Sequence, residues 1–395
     1  MPTVYPFTGT VQHYAWGGYD YLPEFLHRDN NGKEPWAELW MGAHEKGPAE
    51  LTDDSRTLDE LIEEAPREIL GPQVAGRFAD RLPFLFKVLD VREMLSIQVH
   101  PSKKAAEKGF AAEEESGPPR DAADRNYRDD NHKPELGVAL SDFYLLHGFR
   151  GLQAIQHSLQ EVPGWAELLP LLEQDGVRGL YAHVMNADQA TVNRLLEPLA
   201  QSLNGKQFER SEPAFWAQRA FEQYTKDGNY DRGVFSVYWF NLVHLQPGEG
   251  IFQDAGIPHA YLEGACLELM ANSDNVLRGG LTPKHIDVPE LMKHTRFEEV
   301  LPDKLRPERD ADGWNRYPTP APDFELAFRD FSKDDTLALT TSDGPAMLLL
   351  LQGAVRIGNE TKLTETERTA FVPAGQTLDL TGVKDGRIFR ATVGR

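Results

Sequence analysis

Gln98-Val99-His100-Pro101 places an amide and an imidazole two residues apart. Ile97 and Val99 alternate with Gln98 and His100, the two-residue period of a strand, so Gln98 and His100 share one face. Pro101 cannot continue a hydrogen-bonded ladder and ends the strand. Such groups on an inner face are costly to bury unless something binds them, and a metal ion meets that need. Two further segments offer ligands. Glu135 follows Pro134 at the head of the apolar run Leu136 to Leu140, and Gly256-Ile257-Pro258-His259 is a turn that delivers a histidine into a strand. Gln98, His100, Glu135 and His259 offer two imidazole nitrogens and two oxygens, leaving room for water or substrate oxygens. That set suits Zn2+, and Mn2+, Co2+ or Fe2+ could also occupy it.

The run from Glu268 to Lys284 mixes carboxylate, amide, guanidinium, glycine and ammonium in a way that core packing does not require. Arg278 is always charged, and its planar fork of donors suits an oxyanion. Gly279-Gly280 lets the backbone bend sharply and approach a ligand closely. A held oxyanion is useful only beside a proton carrier. Lys133 and His132 beside Glu135, Asp274 near Arg278, and a metal-bound hydroxide are the candidates, and the sequence does not choose among them.

Taken together, these segments resemble the type I phosphomannose isomerases. The resemblance runs from Tyr14-Ala15-Trp16-Gly17 and Pro35 to Gly42, through Leu82 to Leu89, Ser96 to Pro101 and Asn131 to Glu135. It closes with Pro258-His259-Ala260-Tyr261 and Ser273 to Lys284. It implies interconversion of mannose 6-phosphate and fructose 6-phosphate through a cis-enediolate, feeding mannose and GDP-mannose metabolism. One Zn2+ per chain is implied, and so is a phosphate pocket of Ser96, Lys87 and Lys284, with Lys87 facing the Ser96 strand. Tyr261 and Glu268 are placed to hold sugar hydroxyls, Arg278 to stabilise the enediolate, and Trp16 in the core or rim. Ser102 stands where an acidic or amide residue is common in that family, and Asp142 to Arg150 is unusually aromatic.

The elements that must position these residues follow from periodicity. Up to about Arg150, short strands are broken by Gly, Pro and Asn/Asp clusters, the pattern of a β-sandwich. Gly109 to Asn131 is polar and acidic, and reads as a solvated loop that could act as a lid. Val192, Leu195, Leu196, Leu199 and Leu203, then Trp216, Ala220 and Tyr224, recur at helical spacing. Strand pattern returns at Val234 to Phe240. After the proline-rich Tyr317 to Pro322, Met347 to Leu351, Ala354 to Ile357 and Ile388 to Val393 are strand-like, around a turn at Phe371 to Gly375. No histidine follows His294, so this last region is poorly equipped for a transition metal. The fold expected is mainly β with a helical insert. A cupin-type jelly-roll catalytic domain spans 1–150 and 231–316, an α-helical domain 151–230, and a C-terminal jelly-roll-like β domain without metal 317–395.

Composition fits this reading. A chain of 395 residues, 40% hydrophobic and 26% charged, is expected to be globular with more than one core. It has no apolar run of about eighteen residues, and its start lacks a basic-then-apolar signal pattern. The single cysteine, Cys266, excludes an internal disulfide framework and suits a cytoplasmic protein. A balance of 41 basic against 62 acidic residues, net −21, argues against nucleic acid or anionic membrane partners. A phosphate substrate must then meet cations collected locally, from Lys87, Lys133, Arg278 and Lys284. A metal-dependent cupin oxygenase would not need those cations. A non-catalytic sugar-phosphate-binding cupin would not need the intact ligand set. A monomer is expected.

Overall fold

In the computed structural model, which describes residues 4–359 and 361–394, one long strand organises the site. His259–Ala271 pairs antiparallel with Gln98–Val99 and Phe143–Phe149 along its first part, and with Phe84–Val91 and Glu135–Ala139 along its second. A register shift between Tyr261 and Glu263 bends it where the two sets part. Gly264 permits the bend: its φ is +121°, and a Cβ there would lie 2.4 Å from the Asp142 carbonyl oxygen. One strand thus serves two wings of a ten-stranded sheet. Leu89, Val91 and Ala139 from one wing pack with Phe143, Leu145, Val243 and Leu245 from the other, together with Tyr261 and buried Cys266.

The outer face of the Gln98 wing is apolar for a separate reason. Ile97, Val99, Leu146, Ala260, Leu262 and Leu277 join the core of the helical segment, with Leu195, Leu196, Trp165 and Trp216. Burying each large apolar side chain contributes about 1.5–3 kcal/mol. With Ile97 and Val99 turned to the helices, Gln98 between them faces the interior, as alternation requires. The helical stripes form Gln189–Leu203 and Pro213–Tyr224 as expected.

Two local expectations are corrected. Val234–Trp239 is a helix, and the strand begins only at Phe240. Its β-branched and aromatic residues fill a pocket in the helical core, where Trp165 meets Phe235 at 5.1 Å and Trp239 at 5.8 Å between ring centres. Tertiary burial overrides strand propensity there. Lys103–Ser116 is likewise a helix, so the segment from Gly109 is not all loop. Ser102 caps it by accepting a hydrogen bond from the Ala105 amide at 3.4 Å.

A second ten-stranded sheet contains Ala346–Ile357, one bulged strand where two were expected, flanked by Thr369–Val372 and the sixteen-residue Thr377–Thr392. Strands from outside 317–395 enter it: Tyr5–Thr8 pairs with Thr369–Val372, and Glu308–Arg309 and Asn315–Tyr317 form its far end.

Candidate metal and substrate site

Strand register sets out the site. Arg278, Gln98 and His259 are direct cross-strand partners, and His147 continues the row beyond His259. Directly opposed residues share a face, so the Gln98 amide is brought beside the His259 ring. His100 follows the short strand and is completely buried, and Glu135 opens its own strand, also buried. His100 Nε2 lies 3.4 Å from Glu135 Oε1, and His259 Nε2 lies 3.2 Å from Glu135 Oε2. Among the described residues this is the one group of three His, Cys, Asp or Glu side chains whose donor atoms all fall within 4.8 Å.

The outer nitrogens fix the tautomers. His100 Nδ1 is 2.8 Å from the Asn275 carbonyl oxygen, and His259 Nδ1 is 2.9 Å from that of Ile257. A carbonyl only accepts, so each Nδ1 carries the hydrogen and each Nε2 directs a lone pair inward. His100 Nε2 is buried and has no hydrogen-bond partner among the described residues. Two inward imidazole lone pairs, a carboxylate and a neighbouring amide fit a zinc ion. Burial lowers the His100 pKa to about 4, against the opposing pull of Glu135, so the ring is neutral near pH 7 and its contact with Glu135 is not an ion pair. Burial would raise the Glu135 carboxyl, but the Lys133 ammonium at 2.9 Å holds it well below the usual range. His147 donates from Nδ1 to Gln253 Oε1 at 2.7 Å, and burial lowers its pKa to about 4.

Lys87 does not take the expected place. Its strand pairs with His259–Ala271 and Glu38–Met41, whereas Gln98–Val99, which follows Ser96, pairs with His259–Ala271 and Leu277–Arg278. The Lys87 ammonium is 3.0 Å from Glu268 and 3.3 Å from Glu38, all three side chains being buried. Those carboxylates outweigh burial and raise its pKa, so it is a charge already neutralised inside the barrel. Glu268 is correspondingly engaged, and the buried Tyr261 hydroxyl lies close enough to Glu268 and Glu135 for both to raise its pKa after burial does.

The free cations gather elsewhere. Burial and then Arg128 lower the Arg278 pKa, while burial, Arg278 and Arg128 lower that of Lys284. No carboxylate lies within 4 Å of these three among the described residues, so their charge is available to an anion. Ser96 adjoins it, because Ile97 exchanges backbone hydrogen bonds with Gly279 and Gly280 at 2.9 and 3.0 Å. Arg128 was missed from sequence, buried as it is in an acidic segment read as loop; its position just ahead of Asn131-His132-Lys133-Pro134-Glu135 was the available signal. Gly280 serves a different purpose from the expected one. Its φ is +121°, and a Cβ would lie 2.5 Å from the Gly233 Cα, so the close approach is to the helical segment and not to a ligand. Asp231 fixes that contact by accepting from the amides of Leu281 at 2.7 Å and Thr282 at 3.1 Å.

The proton-carrier candidates now differ. His132 is drawn to Asp323, 2.8 Å away. Asp274 is bound by Lys46 and lies 3.6 Å from His44; burial would raise its pKa, but these partners hold it well below the usual range, which makes it a weak base. Lys133 stays against Glu135. At the mouth, Tyr14 stacks on Trp16 with ring centres 5.9 Å apart, and Trp16 packs against the cluster between the wings.

Known proteins share this fold. A family model for the phosphomannose isomerase type I catalytic domain matches residues 4–152. The mannose-6-phosphate isomerase of Escherichia coli (strain K12) is 39% identical over 377 residues, covering 93% of this chain and 94% of that protein. That of Mus musculus is 34% identical over 428 residues, covering 99% and 98%. Among solved structures, a mannose 6-phosphate isomerase bound with zinc and yttrium superposes with a TM-score of 0.90 at 37% identity, covering 100% of both chains. The apo form from Salmonella typhimurium gives a TM-score of 0.89 at 37% identity, also over 100% of both. The chain belongs to the type I phosphomannose isomerases.

Proposed function

We propose that this protein is a zinc-dependent aldose–ketose isomerase that interconverts mannose 6-phosphate and fructose 6-phosphate. The observation that carries the reading is the single row Arg278–Gln98–His259. It joins the inward imidazole and carboxylate donors to a cluster of cations without counter-ions. A cupin oxygenase has no use for the second half of that row. Related mannose 6-phosphate isomerases have been solved with zinc bound, which supports zinc as the ion held by Gln98, His100, Glu135 and His259.

A zinc ion there supplies Lewis-acid stabilisation of negative charge on substrate oxygens. The residues of the chain do the rest. Arg128, Arg278 and Lys284, with the Ser96 hydroxyl, hold the phosphate end. Arg278, between the cations and Gln98, also reaches toward the developing oxyanion. Lys133 is the side chain on the wall of the site to which we assign the proton moved between the two carbons. Tyr261 and Glu268 border the sugar, with Glu268 fixed by Lys87. Every ligand comes from one chain, so the site needs no second copy, and we read the protein as a cytoplasmic monomer. We retain three folding units, 1–150 with 231–316, 151–230 and 317–395, adding Tyr5–Thr8 to the last and Val234–Trp239, which packs in the helical core, to the second.

The test is a mannose 6-phosphate to fructose 6-phosphate assay on protein whose metal content is measured in parallel. Activity that tracks about one zinc per chain is expected. Full activity in metal-free protein would sink the reading.

A further inference from the structure

Asn275 is completely buried, and its polar groups reach both halves of the site. Its carbonyl oxygen accepts from His100 Nδ1 at 2.8 Å. Its side-chain oxygen accepts from the Arg128 amide at 2.7 Å, and from that of Asp129 at 3.3 Å. Its side-chain nitrogen donates to the carbonyl oxygens of Asp129 at 2.8 Å and Asn131 at 2.9 Å. The amide assignment follows from these partners, since backbone N–H groups need the oxygen and carbonyls need the nitrogen.

The neighbours tighten the same clasp. Asp129 accepts from the Asp274 amide at 2.7 Å and from the Ser273 hydroxyl at 2.8 Å. Residues 128–131 and 273–275 are therefore locked together, although no strand ladder joins them. The first segment carries Arg128 and runs directly into Lys133-Pro134-Glu135. The second holds His100 from behind and runs into Arg278. A buried amide with every hydrogen-bonding group satisfied is rigid, and its removal leaves several partners unpaired at once.

We propose that Asn275 is a positioning residue that sets His100 for the metal through its main chain and Arg128 for the phosphate through its side chain, so that both halves of the site depend on one residue. Through its main chain it fixes the His100 tautomer and ring orientation, the usual task of a group behind a metal-bound imidazole. Through its side chain it fixes the backbone that projects Arg128. This inference rests on the assignment of His100 to the metal and Arg128 to the phosphate.

The experiment compares the full-length wild type, Asn275→Ala, Asn275→Asp and Arg128→Ala. Zinc affinity is read by competition with a chelator, and inorganic phosphate affinity by calorimetry, so neither readout needs turnover. Asn275→Ala keeps the carbonyl behind His100 but releases the clasp that aims it, so zinc and phosphate binding should each weaken several-fold. Arg128→Ala should weaken phosphate alone. In the zinc-loaded wild type the His100 Nδ1 proton should exchange slowly by NMR, and faster in Asn275→Ala.

If Asn275→Ala does not fold, Asn275→Asp supplies the comparison. It keeps an acceptor for the Arg128 amide but sets an oxygen against the Asp129 and Asn131 carbonyls, and both affinities should fall. Wild-type affinities in a folded Asn275 variant, or a change in only one of them, overturn the proposal while leaving the site assignment intact. Unchanged phosphate affinity in Arg128→Ala overturns the phosphate assignment and this inference with it.

Discussion

Lys87 and Glu268 are cross-strand partners whose charged ends meet at 3.0 Å in the interior, with Glu38 closing the other side of the ammonium at 3.3 Å. One buried cation between two buried carboxylates is a unit. Removing the cation leaves like charges facing each other without solvent. Lys87→Met should therefore lower stability by about 3–5 kcal/mol, the usual cost of breaking a buried pair from one side. Urea unfolding measures this. A variant of native stability with a selectively raised KM would restore Lys87 to the phosphate pocket.

His100→Ala and His259→Ala should each lose zinc and turnover together while keeping the fold. Elemental analysis after gel filtration, with circular dichroism, separates the two effects. Retention of one zinc per chain by either variant would remove that histidine from the ligand set.

Arg128→Ala and Lys284→Ala should raise KM for mannose 6-phosphate more than they lower kcat, since a phosphate remote from the reacting carbons is bound alike in ground and transition states. Inorganic phosphate should compete with substrate, less effectively in either variant and less as salt rises. Steady-state kinetics at two ionic strengths decides it. An unchanged KM in both variants contradicts the pocket.

Arg278→Ala should bind zinc normally and lose about 10²–10³ in kcat, the usual effect of deleting one preorganised donor at a developing oxyanion. Arg278→Lys should recover little, because an ammonium lacks the planar fork. Near wild-type turnover in the alanine variant would reduce Arg278 to a phosphate contact.

Acid stability should report His147. Its pKa falls from an ordinary 6.5 to about 4 on burial, so between those values the unfolded chain binds a proton that the folded chain refuses. Stability is then fully present above pH 6.5 and declines as pH falls toward 4, by up to about 3 kcal/mol. Thermal melts of zinc-free protein from pH 4.5 to 7.5 should show this decline together with that of His100, whose pKa burial lowers likewise, and His147→Asn should reduce the slope without abolishing it. Parallel curves for both proteins would assign the acid sensitivity elsewhere.

That Gln98, His100, Glu135 and His259 could come together was legible because their signals are local. Alternation around Gln98 and His100, and proline punctuation before Glu135 and His259, survive without knowledge of the fold. Pairing was not, since it depends on register: Lys87 meets Glu268 across 181 residues of chain, and nothing near either residue announces the other. Arg128 was hidden by its acidic neighbours Asp129 and Asp130, whose charges turn out to be committed to other partners or to solvent. Val234–Trp239 looked like a strand because its composition was read before its surroundings, which supply an apolar socket on the helical core. The Lys103–Ser116 helix did leave a mark, in the Ser102 cap and the alanine–glutamate run, that acidity alone obscured.

Tyr5–Thr8 is stitched to Thr369–Val372, with Tyr5 opposite Phe371. On a ribosome adding roughly 5–20 residues per second, that partner emerges on the order of 20–70 s after the strand itself. Until then the strand has one bare edge, able to accept a chain from a neighbouring nascent copy. Its companion edge is covered early by Glu50–Leu51, which halves the exposed ladder. This pairing therefore waits until residue 372 has been made, and a chain stalled before residue 369 still carries the strand open.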